Sequence, residues 1–64
     1  MKAPRFCYEY RNYKIKAMEK LIETFPENET LYRDKINTYL KITRNLERGL
    51  VTIDEFMKVL SMEG

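Results

Sequence analysis

The chain has no histidine and no tryptophan, a single cysteine, two glycines and two prolines among its 64 residues. Each shortage removes a class of chemistry. Without histidine neither a Ser/His/Asp nor a Cys/His nucleophile system can be assembled, and the histidine-containing zinc sites go with them. Gly49 and Gly64 are the only glycines, so neither a Walker loop nor a dinucleotide fingerprint can be written. Cys7 alone closes no internal disulfide. The longest apolar run is Phe6-Cys7-Tyr8, too short for a secretory h-region or a membrane span. The sequence therefore predicts a cytoplasmic protein with no membrane partner, and one free thiol fits a reducing compartment.

What is present, 44% hydrophobic and 34% charged residues, belongs to a soluble globular chain at the lower size limit, so residues 1–64 are read as one domain. A chain this short buries only about 60% of the surface its unfolded form exposes, and such a core rarely supplies more than about 3 to 5 kcal/mol. With no disulfide and no zinc site to add stability, self-association or docking on a partner is the remaining source.

The apolar positions Tyr10, Tyr13, Ala17, Met18, Leu21, Ile22 and Phe25 recur in steps of one, three and four, which predicts a first helix over about 8–25. Its start is open, because Phe6, Tyr8 and Tyr10 alternate as a strand would, although a lone strand finds no pairing partner elsewhere in the chain. Phe25-Pro26 ends this helix, since a residue before proline is driven out of the α region. Asn28 is a candidate N-cap, and the sequon Asn28-Glu29-Thr30 is better read as a helix start than as a glycosylation site. Leu31, Tyr32, Ile36, Tyr39, Leu40, Thr43 and Leu46 then form the expected buried stripe of a second helix, about 29–48, with Gly49 where a left-handed residue is wanted.

Thr52-Ile53-Asp54-Glu55 is a capping box with Val51 and Phe56 placed as a hydrophobic staple, so a third helix runs over about 53–62. Ile53, Phe56, Met57 and Leu60 give it a narrow apolar stripe. The expected fold is all-α, three short helices in a small antiparallel bundle or an open helical hairpin.

No metal site, cofactor or small-molecule substrate is expected. Setting Gly49 as the sixth position of a calcium loop puts Arg44, Leu46 and Arg48 where oxygen ligands are needed, which rejects calcium by that route. The carboxylate pairs Asp54/Glu55 and Glu27/Glu29 fit helix N-terminal positions facing the positive end of the dipole. The chain is accordingly read as not an enzyme.

Residues 38–60, TYLKITRNLERGLVTIDEFMKVL, resemble the short C-terminal helical hairpin family called SHOCT. The shared pattern is a charged amphipathic helix, then Gly49-Leu50-Val51-Thr52, two variable positions, Glu55-Phe56 and a second helix. The sequence departs from it in carrying Ile53-Asp54 where two acids are usual. The resemblance covers about a third of the chain and implies an accessory, oligomerising or interaction module.

Two surfaces could carry function. On the second helix Arg33, Asn37, Lys41, Arg44 and Arg48 line up opposite the apolar stripe. They make a ridge about 22 Å long that could follow a phosphate backbone or simply be solvated. On the first helix the apolar positions spread over roughly 220°, more than two short helices cover, with Arg11 and Lys14 inside the arc. Tyr8, Tyr10, Arg11, Tyr13, Lys14 and Ile15 are the candidate partner-binding residues, since a phenol combines contact area with a polar tip.

Residues 1–20 carry net +4 and residues 21–64 net −2, so the basic, aromatic first third suits an acidic partner. Asp54 and Glu55 at the start of the third helix oppose its use as a helix-turn-helix reader. The leading expectation is a small non-enzymatic regulatory or adaptor protein, of the compact kind common in phages and mobile elements, binding a larger protein through helix 1. The alternatives are an excisionase-like or transcriptional DNA-binding protein using Arg33, Lys41, Arg44 and Arg48, and a structural homo-oligomer in which helix 1 packs on its own copy.

Overall fold

A computed structural model describes residues 3–62 and contains three α-helices: α1 (Arg5–Thr24), α2 (Glu29–Glu47) and α3 (Ile53–Ser61). No strand occurs among the described residues. The alternation of Phe6, Tyr8 and Tyr10 is thus resolved as helix, which begins at Arg5 rather than near residue 8. Pro4 sets this start, since its backbone lies at φ −59°, ψ 150° and its carbonyl accepts from the Cys7 amide at 3.1 Å.

Phe25 ends α1 at φ −128°, ψ 69°, as the following proline requires. The expected polar linker holds one 3-10 turn, Pro26–Asn28. Asn28 precedes α2 but its side chain makes no capping bond, because its backbone at φ −104°, ψ 16° belongs to that turn and not to the extended conformation a capping side chain needs.

The α2 to α3 connection is fixed by local chemistry at both ends. Gly49 adopts φ +76°. Its amide donates to the Leu46 carbonyl at 3.0 Å and the Leu50 amide to the Asn45 carbonyl at 2.9 Å, the two bonds of a Schellman motif. Three residues later the Thr52 hydroxyl accepts from the Glu55 amide at 3.1 Å while the Glu55 carboxylate accepts from the Thr52 amide at 3.2 Å. This is the predicted capping box, and Val51 packs against the core that contains Phe56.

The core draws two residues from each helix: Cys7 and Met18, Tyr39 and Leu46, Phe56 and Leu60. Thr43 is buried among them and its hydroxyl donates to the Tyr39 carbonyl at 2.7 Å, so its polar group is satisfied within the helix. The molecule is a rod of 37 × 17 × 17 Å. Its third layer is partial, because α3 has 9 residues against 20 in α1 and 19 in α2.

That shortness corrects the expected α2 stripe. Leu31 is 54% and Leu40 42% exposed. α3 packs beside the C-terminal part of α2, so Leu31 lies on a turn that no third helix reaches, and Leu40 sits at the edge of the stripe, about 100° round the helix from Tyr39. Ile53, expected on the packed stripe of α3, is also exposed, at its first turn.

Phe56 is the larger of the two fully buried side chains that α3 adds to the core, one turn before Leu60. Phe56→Ala is expected to cost about 3 to 5 kcal/mol. That equals the whole stability of a domain of this size, about 3 to 5 kcal/mol. The helical circular dichroism of the variant at 25 °C should therefore be largely lost; a cooperative melt near that of the parent would contradict this account of the core.

Candidate functional site

The six candidate residues of α1 divide by their neighbours. Tyr8 is half-buried and its hydroxyl donates to the Glu47 carboxylate near the end of α2. The Arg11 guanidinium lies 5.3 Å from the centroid of the Tyr8 ring and also donates to the Asn12 side chain. Tyr10 is half-buried on the opposite flank, its hydroxyl 3.4 Å from that of Ser61 at the end of α3. Ile15 packs against the core and Lys14 is half-buried. Tyr13 alone is largely open, at 68% exposure.

Tyr8 and Tyr10 therefore mark the limits of the covered arc of α1. Wound at 100° per residue they enclose about 160° containing Cys7, Met18 and Leu21, whereas the apolar arc extends to roughly 220°. The uncovered remainder lies just beyond Tyr10 and carries Phe6, 51% exposed, together with Tyr13 and the half-buried Ala17. Tyr13, Lys16, Ala17 and Lys20 line a shallow hollow along this edge. The open surface is thus narrower than the six-residue set and includes Phe6 and Ala17, which that set lacks. Their signal in the sequence is the spacing Phe6, Tyr10, Tyr13, Ala17, in steps of four, three and four.

The second candidate surface is intact as a ridge. Arg33, Asn37, Lys41, Arg44 and Arg48 are all exposed. Arg33 is paired with Glu29 one turn earlier, whereas Lys41, Arg44 and Arg48 make no ion pair among the described residues. No group of His, Cys, Asp or Glu side chains among the described residues could hold a metal ion, and no helix among them is long and apolar enough to cross a membrane. Cys7 is fully buried and burial pushes its thiol up from the ordinary value.

Compared with family models, with curated proteins and with solved structures, the chain matches none.

Tyr8 supplies a test of how α1 is held. Its hydrogen bond to the Glu47 carboxylate, and secondarily its burial, raise the phenol above its ordinary 10.0. A raised phenol adds stability that is whole below about pH 10 and is lost as pH rises through the higher value of the folded state. The stability difference between the parent and Tyr8→Phe, read by urea unfolding, should stay constant from about pH 7 to 9 and fall above pH 10. A difference that does not change across that range would show that the phenol contributes nothing through this bond.

Proposed function

We propose that this chain is a small non-enzymatic interaction protein that docks through the open edge of α1, formed by Phe6, Tyr10, Tyr13 and Ala17. The observation that carries this reading is the pair Phe6 and Tyr13, two turns apart, 51% and 68% exposed on the one side of α1 that neither α2 nor α3 covers. Aromatic side chains of this kind supply most of the energy in protein interfaces, and a contiguous apolar edge with lysines along its rim suits a folded partner more than solvent. A regulatory or adaptor role in the cytoplasm, among phage-type small proteins, fits the size of the chain and its lack of any nucleophile system. The SHOCT-like hairpin of α2 and α3 then serves as the support that holds α1 in place.

Tyr13→Glu tests the edge without touching the core. Affinity capture from the native host is expected to recover a partner with the parent and to lose it, by about tenfold or more, with this variant, as for an interface residue of aromatic type. Retention of every partner by both Tyr13→Glu and Phe6→Ala, each folded by circular dichroism, would end the proposal.

A second reading rests on a separate observation, the exposed cations Lys41, Arg44 and Arg48 with no ion pair among the described residues. Together with Arg33 they would follow a nucleic-acid backbone in a sequence-independent way. That reading expects a gel shift at about 50 mM salt whose log–log salt slope falls by about one for each cation replaced. No retardation at that salt concentration would eliminate it.

A further inference from the structure

The open edge of α1 has a property that the docking reading does not require. Its positions Phe6, Tyr10, Tyr13 and Ala17 recur in steps of four, three and four, the pattern of a helix seam, and are spaced evenly about a point midway between Tyr10 and Tyr13, with the large Phe6 at one end and the small Ala17 at the other. When a second α1 is laid antiparallel across that point, Tyr10 meets the partner's Tyr13 and Phe6 meets the partner's Ala17. At either end a large side chain then falls opposite a small one, and at the centre four phenols, two from each chain, stack in two pairs.

The charges along the outer rim obey the same symmetry. Glu9 and Lys16 both lie one residue before a seam position, and in the antiparallel arrangement Glu9 faces the partner's Lys16 while Lys16 faces the partner's Glu9. Both are exposed. Lys16 makes no ion pair among the described residues, and the Glu9 side chain, held only by Arg5, is 65% exposed. A parallel arrangement would instead stack Ala17 on Ala17, leaving a gap, and would give Lys16 no acidic partner.

Ser61 beside Tyr10 places the end of α3 next to the seam, with Met62 exposed beyond it to extend the contact.

We infer that the open edge of α1 binds the same edge of a second copy of this chain, antiparallel about a twofold axis, with two reciprocal Glu9 to Lys16 pairs. This rests on the docking reading and names its occupant. The contact is isologous, so it closes at a dimer and leaves no edge free for further growth. It also leaves the basic ridge of α2 outside the seam.

Sedimentation equilibrium of the full chain from about 1 to 200 μM tests it, since interfaces of this small size hold in the micromolar range. The parent is expected to follow a monomer–dimer equilibrium. Glu9→Lys and Lys16→Glu should each weaken it by about tenfold, because each turns both intersubunit pairs into like-charge contacts. The double variant E9K/K16E should recover to within about threefold of the parent, since it reverses both partners together. These positions are exposed, and circular dichroism of each variant confirms that α1 is kept. A strict monomer, a dimer indifferent to both single changes, or a double variant weaker than either single one would overturn the inference. A strict monomer whose captured partner is still lost with Tyr13→Glu would overturn the twofold dimer alone and leave the docking reading in place. A dimer unaffected by Tyr13→Glu would overturn the twofold dimer, and the docking reading falls with it where captured partners are also kept by both Tyr13→Glu and Phe6→Ala.

Discussion

The structure depends on the burial of Phe56 and Leu60 of α3 in the core shared with α1 and α2. These two side chains and Cys7 and Tyr39 are its fully buried residues, and they bring all three helices to one place. Without α3 the other helices would form an isolated antiparallel pair, whose single shared seam buries too little to offset the entropy of ordering about forty residues. Because α3 is only nine residues long, it completes the core over one part of the rod and leaves the remainder as a two-helix seam. The exposure of Leu31 and Phe25 around the α1 to α2 turn is the other side of this arrangement.

What aims α3 is the turn before it. The Schellman bonds at Gly49 and the capping box at Thr52 follow one another with only Leu50 and Val51 between them. Backbone groups at the end of one helix and the start of the next are therefore satisfied inside the turn itself. The direction of α3, and with it the covered arc of α1, is set by hydrogen bonds that involve residues within six positions of one another.

That locality explains what could be read in advance. The stop at Gly49, the start at Thr52 and the end of α1 before Pro26 are each determined by the chemistry of a few adjacent residues, and all three are legible in the sequence. The start of α1 is less so, since Phe6, Tyr8 and Tyr10 satisfy a strand pattern, and the burial of Cys7 in the shared core, which favours helix, is a tertiary fact. Periodicity places Leu31 and Tyr39 on similar sides of α2 but says nothing of how far the neighbouring helix extends. The pairing of Tyr8 with Glu47, 39 residues away, is likewise invisible until the helices are docked. It converts two candidate contact residues, Tyr8 and Arg11, into part of the support. The basic ridge was legible as a set of exposed cations because a helix face opposite an apolar stripe needs no tertiary information.

Cys7 gives the arrangement a built-in clock. Its sulfur is sealed at the junction of all three helices and, with burial disfavouring the thiolate, an alkylating reagent in solution reacts with it only during excursions that part the bundle. Where reagent is concentrated enough for alkylation to outpace reclosing, the rate of its modification is the rate of those openings, read with no label added to the chain.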